Sequence, residues 1–289
     1  MQSKSEVRYN IIQAVEKVRR TSPMAGSITN TVTINFVANA QLAVGGLAAM
    51  VYMPDEGEFL AHAGGAAYIN MGTILPVYEK TLPHTARVLH ETKKPWVLDP
   101  VAVGIGELRT KILRKFKEYK PSVIRGNASE IIALAGLWGR DGETPESRAK
   151  GVESTESVDA AKGAAASLAL LTGGAVAVSG KIDYITDGRV SARSYGGSFF
   201  MEKITGAGCS LGGVMAVYLS VADPFTAALT AHAVYNFAGL KAEKSAAGPG
   251  GFQVRFLDGL YNVSAEEIAN NPFEVERVNF ERLRSCIHS

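Results

Sequence analysis

Apolar residues follow two alternating patterns along this chain: stripes at helical spacing between charged positions, and short unbroken apolar runs closed by glycine, proline, asparagine or aspartate. Ile11, Val15 and Val18 stand at helical spacing, which predicts an amphipathic helix over 7–20, ended by Pro23. Thr29, Asn30 and Thr31 offer capping side chains ahead of an apolar helix that ends near Gly45 and Gly46. The runs 48–53 and 66–72 read as two buried strands, with a helix over 77–93 after the second. A third buried strand within 94–104 carries Asp99 at its carboxyl end, held between Leu98 and Pro100. A helix over 109–119 leads to a fourth strand, 122–127, and a further helix opens at Ala128. Asn127 can cap that helix, and Glu130 at its third position would complete a capping box.

Residues 139–157 are polar and read as a surface excursion, with a helix over 158–171 behind it and a fifth strand over 175–180. Asp187-Gly188 between two short polar-apolar stretches reads as a hairpin turn, an antiparallel extension at a sheet edge. After a glycine-rich turn over 204–213 the chain is helical over 211–221 and 224–246, is broken at Gly248-Pro-Gly-Gly251, and closes with helices over 256–263 and 265–270. Residues 271–289 are expected to be a charged, loosely held tail behind a single domain over 1–270. Such alternation implies an α/β fold: a mainly parallel sheet covered by helices on both faces, with right-handed crossovers. Ligands of such sheets bind beyond the strands' carboxyl ends, where Asp99, Asn127, Glu130, Ser179 and the 205–209 turn should converge.

Composition narrows the partner. With 289 residues, 46% hydrophobic, 20% charged and a net charge of +2, the chain can bury one sizeable core and has no basic run that would argue for nucleic acid or a membrane surface. A small molecule is the expected partner. Cys209 and Cys286 form neither a disulfide framework nor a zinc site, so a reducing cytoplasm fits best. The first residues lack the apolar core of a secretory signal, and no apolar run reaches the roughly 20 residues that span a bilayer.

The turn Ile204-Thr-Gly-Ala-Gly-Cys-Ser-Leu-Gly-Gly213 has two readings. It is a tight strand-to-helix connection with a small buried cysteine, or an anion site in which Gly206 and Gly208 keep side chains out of the way and the helix that follows offers unpaired N–H groups. Asp99 and Glu130 beside an anion turn suggest a divalent cation shared between carboxylates and a polyphosphate, and magnesium suits such a donor set. Arg125 is either a phosphate partner or an exposed surface arginine. Neither a Gly-x-x-x-x-Gly-Lys-Ser/Thr loop nor a dinucleotide fingerprint is present, and the five histidines have no ligand spacing, so they are read as structural or exposed.

Ser27-Ile-Thr-Asn30, Asn70-Met-Gly-Thr73, Leu98-Asp-Pro-Val-Ala-Val-Gly104, Ile124-Arg-Gly-Asn-Ala-Ser-Glu-Ile131, Val178-Ser-Gly180, Thr205-Gly-Ala-Gly-Cys209 and Gly250-Gly-Phe-Gln-Val254 together resemble the hydroxyethylthiazole kinases of the ribokinase-like superfamily, in order from about 23 to 263. The resemblance implies ATP- and Mg2+-dependent phosphorylation of the hydroxyl of 4-methyl-5-(2-hydroxyethyl)thiazole, a salvage step of thiamine biosynthesis, on a homotrimer with sites at subunit interfaces. It would place Asn30, Met50, Gly72 and Gly206 in the thiazole pocket and Arg125, Ser179 and Asn127 on ATP. Asp99 and Glu130 would organise magnesium, and Gly206, Ala207, Gly208 and Cys209 would form the catalytic anion hole. Two alternatives compete: the same fold acting on another acceptor, such as hydroxymethylpyrimidine, and a non-catalytic binding homologue. Cys209 speaks against the first; retained Asp99 and Glu130 speak against the second. Gly26-Ser27, Ala207 and Ser179 depart from the residues most frequent in the family.

Overall fold

A computed structural model describes residues 3–139 and 157–278. In chain order the elements are α1 (Lys4–Thr21), β1 (Met24–Ile28), α2 (Ile34–Ala43), β2 (Leu47–Met50), α3 (Pro54–Ala63), β3 (Ala66–Asn70), α4 (Tyr78–Glu91), β4 (Trp96–Asp99), α5 (Glu107–Tyr119), β5 (Val123–Asn127), α6 (Ala128–Trp138), α7 (Lys162–Thr172), β6 (Ala175–Ser179), β7 (Asp183–Thr186), β8 (Val190–Ser194), α8 (Ala207–Leu219), α9 (Pro224–Glu243), α10 (Pro249–Asn262), α11 (Ala265–Asn270) and β9 (Phe273–Arg277). A 3-10 turn over Phe199–Lys203 precedes α8.

The strands form one nine-stranded sheet in the order β2-β1-β3-β4-β5-β6-β7-β8-β9. β2 through β6 in that order are parallel, and β7, β8 and β9 run antiparallel at one edge. Helices cover both faces, as the alternation predicts. α1, α2 and α8–α11 share one apolar core with Tyr68, Val97 and Val123, while α3–α7 share the other with Ile69, Leu98 and Ile124. Neighbouring residues of the central strands thus feed opposite cores, which is why these strands read as unbroken apolar runs.

The structure differs from the sequence expectations at several elements. β1 falls in a stretch given no strand, and it lies between β2 and β3. The run at 48–53, expected to be a buried strand, is instead the half-exposed edge strand β2. α3 occupies a stretch left unassigned, opening on Pro54 at its first turn. The long helix is broken before Gly248-Pro-Gly-Gly251 as expected, but the next helix starts within that segment and not at 256: α10 opens on Pro249, in the first turn where its missing N–H costs nothing. The tail expected to be loose contributes β9, whose Phe273 is buried and pairs with Ser194. The polar excursion at 139–157 lies, but for Gly139 and Ser157, outside the described residues.

Candidate active site

Five parallel strands end on the same side of the sheet, at Met50, Asn70, Asp99, Asn127 and Ser179. Register aligns Asn70 with Asp99 and Asn127 with Ser179 across neighbouring strands. β1 stops just short of Asn30, which lies buried in the following turn. The α8 amino terminus comes down onto the middle of this row.

α8 starts at Gly206, whose φ of +93° is left-handed backbone that glycine adopts without strain. Thr33 Cβ and Cγ2 would stand 3.0 Å from a Cβ there, a tight contact added to the strain of that φ. No side chain caps α8, which leaves the first-turn N–H groups of Ala207, Gly208 and Cys209 free for an anion, with the positive end of the helix dipole behind them. Beneath Gly208 lies the Arg125 guanidinium: a Cβ on Gly208 would meet Nη1 and Nη2 at 2.8 Å. Arg125 is buried and not the exposed surface arginine that the sequence left open.

Arg125 Nη1 donates to Asp99 Oδ2 at 3.3 Å and Nη2 to Ser179 Oγ at 3.2 Å. Ser179 in turn lies 3.4 Å from His232 Nε2, and His232 Nδ1 lies 2.9 Å from the carbonyl oxygen of Ala228, so Nδ1 carries the proton and Nε2 accepts from the serine. His232 is buried and joined to the site through Ser179, a link its reading as a structural or exposed histidine did not give it. Asp99 Oδ2 also accepts from the Tyr68 hydroxyl and from Asn70 Nδ2, each at 2.9 Å. Asp99 Oδ1 is buried with no hydrogen-bond partner. Burial pushes the Asp99 carboxyl up against the pull of Arg125. For Arg125, burial alone would favour the neutral form, but the charges of Asp99 and Glu130 outweigh it and hold the guanidinium protonated.

Asn127 and Glu130 form the capping box on α6: Glu130 N donates to Asn127 Oδ1 and Asn127 N to Glu130 Oε2, both at 2.8 Å. Cap and site are not exclusive here. The Glu130 side chain folds back over Gly126, where a Cβ would stand 3.1 Å from Oε2, and it is buried. Burial and then the charge of Asp99 raise its pKa to about 7. Two buried carboxylates facing one guanidinium leave negative charge uncompensated, and the orphaned Asp99 Oδ1 is an open acceptor. That donor set fits a magnesium ion completed by water and phosphate oxygens.

Cys209 sits in the first turn of α8, half-buried, 3.4 Å from Asn30 Nδ2. Burial, then the charge of Asp99, raises its pKa, while Thr33, Arg125 and Asn30 pull the other way. Asn30 does not cap α2, for which Thr33 takes the cap position. Its Oδ1 instead accepts from Val32 N and Thr33 N at 3.2 and 3.1 Å, an Asx turn that aims Nδ2 at the thiol. Gly72 packs against Asn30, with room for no Cβ. The structure thus brings together Asn30, Gly72, Asp99, Arg125, Ser179, Gly206, Gly208 and Cys209. Met50 stands at the same sheet end, two strands from Asn70, half-buried against the apolar core that includes α2. Sequence reasoning missed Tyr68, Asn70 and His232; the strand-end rule that found Asp99 applies equally to Asn70.

An uncapped glycine-rich helix start, a buried arginine and two acids thus meet at the carboxyl end of a mostly parallel sheet, the setting of an anion-binding site. A ribokinase-like superfamily protein from Enterococcus faecalis shares this fold, with a TM-score of 0.56 at 12% identity over 90% of each chain. The model of the hydroxyethylthiazole kinase family matches residues 15–266, and the chain belongs to that family. It is 52% identical over 290 residues to hydroxyethylthiazole kinase of Bifidobacterium longum (strain DJO10A), covering 94% of this chain and 92% of that one. The hydroxyethylthiazole kinase of Bifidobacterium adolescentis is 54% identical over 273 residues, 91% of this chain and 93% of its own. Among solved structures, the hydroxyethylthiazole kinase protein from Pyrococcus horikoshii OT3 superposes with a TM-score of 0.81 at 30% identity, covering 93% of this chain and 99% of that chain.

Proposed function

We propose that this kinase transfers the γ-phosphoryl group of ATP to the hydroxyl of 4-methyl-5-(2-hydroxyethyl)thiazole, the salvage step that supplies the thiazole phosphate of thiamine. The observation that carries this reading is the α8 start, where free N–H groups lie directly over the buried Arg125 guanidinium and beside Cys209 and Asn30. A γ-phosphoryl group held there meets backbone donors on one side and a fixed cation on the other. Its charge is neutralised as the bond to the β-phosphate oxygen breaks and the bond to the alcohol oxygen forms. Asn30, Gly72, Gly206 and Met50 line the acceptor side, and Arg125, Ser179 and Asn127 the nucleotide side. Asp99 and Glu130 would hold Mg2+, which supplies charge neutralisation of the phosphate oxygens.

Because burial and Asp99 favour its neutral form, the Cys209 thiol orients the acceptor hydroxyl without acting as a standing base. A loose transition state tolerates that, since the alcohol proton leaves late, to a phosphate oxygen or to water, once the new bond has formed. The assembly we infer is a homotrimer working in the cytoplasm. β2 is an edge strand at the site's end of the molecule, and Leu42, Leu47, Met53 and Phe59 are exposed around it, an apolar margin that suits burial against a second copy. Among the described residues no helix is long and apolar enough to cross a membrane. Coupled ADP release with ATP and Mg2+ tests the substrate: the thiazole alcohol should be turned over and hydroxymethylpyrimidine should not, and the reverse preference would overturn the assignment.

A further inference from the structure

The acceptor-side groups (Asn30, Gly72, Cys209) and the phosphate-side groups (Asp99, Arg125, Ser179) meet through the first residue of the Asn70-Met-Gly-Thr73 motif, a side chain given no role so far. Asn70 is fully buried at the end of β3. Its Oδ1 accepts from Asn30 Nδ2 at 3.0 Å and from the Gly72 N–H at 2.9 Å. Its Nδ2 donates to Asp99 Oδ2 at 2.9 Å and to the Tyr68 hydroxyl oxygen at 2.8 Å. Both lone pairs and both protons are used, so the amide has one orientation: turned over, its N–H groups would face those of Asn30 and Gly72. Each partner bonds onward, Asn30 to Cys209 Sγ, and Asp99 to Arg125 and through it to Ser179.

We infer that Asn70 is a positioning residue for phosphoryl transfer, a buried amide junction that sets the distance between the acceptor hydroxyl's partners and the acid beside Arg125. The inference rests on the kinase reading above. A site built from two half-sites on different strands transfers a group fast only when both hold one geometry, and an error of about 1 Å can cost on the order of 100-fold in rate. An amide is the side chain that can accept from one half and donate to the other. A carboxylate or a hydroxyl supplies only part of that pattern.

The two directions can be separated with Asn70→Asp, assayed across pH up to values where the new carboxyl beside Asp99 has given up its proton, so that its oxygens still face Asn30 and Gly72 while nothing is donated to Asp99, and Asn70→Ser, which is too short for either. Both should melt as folded proteins. At those pH values Asn70→Asp should lower kcat by roughly tenfold or more while the KM for the alcohol stays within about threefold of the parent; Asn70→Ser should lower kcat as much and raise that KM as well. Should Asn70→Asp fail to fold, Asn70→Ser decides alone. Parent-level kcat per folded molecule in either variant would overturn the inference. A crystal structure of Asn70→Ser gives a reading independent of turnover: the Asn30 amide and the Asp99 carboxylate should each shift by about 1 Å, the displacement that matters for rate. Both groups staying in place would overturn it. Failure of the parent to phosphorylate the thiazole alcohol would instead remove the substrate assignment, leaving the junction to be judged on that crystal structure.

Discussion

Gly208→Ala isolates the contact between the helix start and its cation. The added Cβ would lie 2.8 Å from both Arg125 Nη atoms, where ordinary contact needs about 3.5 Å, so the guanidinium must retreat by about 0.7 Å. A side chain at the surface would give way freely. Arg125 is buried and pinned by Asp99 at 3.3 Å and Ser179 at 3.2 Å, and a shift of that size cannot keep both bonds. Losing one hydrogen bond to a charged group costs roughly 1.5–3 kcal/mol, which is roughly 10- to 150-fold in affinity. Because the guanidinium can take up part of the strain by tilting, the lower end is expected: a rise of about tenfold in the KM for ATP, with the alcohol's KM within about threefold and the melting temperature lowered by a few degrees. Steady-state kinetics with each substrate varied in turn, alongside thermal melting, read all three. An unchanged KM for ATP in a protein of unchanged stability would refute the picture of a pinned guanidinium under the anion site, as would equal losses for both substrates.

Glu130 links stability to pH: its pKa is about 7 in the fold against 4.5 in the unfolded chain, so its contribution is fully present below about 4.5 and is lost as pH rises through about 7, at most about 3 kcal/mol. Urea unfolding of the metal-free protein should therefore show less stability near pH 8 than near pH 5. Glu130→Gln, which preserves the capping box, should flatten that difference and lower turnover, with partial rescue by added Mg2+; a flat profile in the parent would count against the buried-acid reading. Cys209→Ala should remain measurably active and Cys209→Asp should retain or exceed parental activity, since the thiol is held neutral; complete inactivity of both folded variants would show an obligatory thiolate. Light scattering should report a trimer for the parent and smaller species for Leu47→Glu at the edge strand, and a monomeric parent at micromolar concentration would refute the assembly.

The central layers were legible because their chemistry is local. β3 to β6 are continuous apolar runs closed by polar residues, and α4 to α7 repeat at helical spacing, so the strand-end rule led to Asp99, Asn127 and Ser179. β1 was hidden because Met-Ala-Gly-Ser-Ile has only one β-branched residue, and its pairing with two neighbours supplies what propensity lacks. α3 carries Pro54 and Gly57, signals of a loop. Gly57 is there because a Cβ would stand 2.1 Å from Thr85 Oγ1 on α4, a tertiary reason that no local pattern carries. β9 pairs with β8 from some 80 residues away, a long-range register invisible in its charged sequence. Within the site, residues with a charge or a glycine signature stood out. Asn70 and His232 act through hydrogen bonds inside apolar surroundings, and only the folded geometry reveals their partners.

The phosphorus-31 spectrum of a reaction containing the parent protein, ATP, Mg2+ and 4-methyl-5-(2-hydroxyethyl)thiazole tests most directly whether the α8 anion site delivers phosphate to that alcohol. A phosphate monoester of the thiazole should appear in step with ADP. Inorganic phosphate in step with ADP, or ATP left intact, would contradict it.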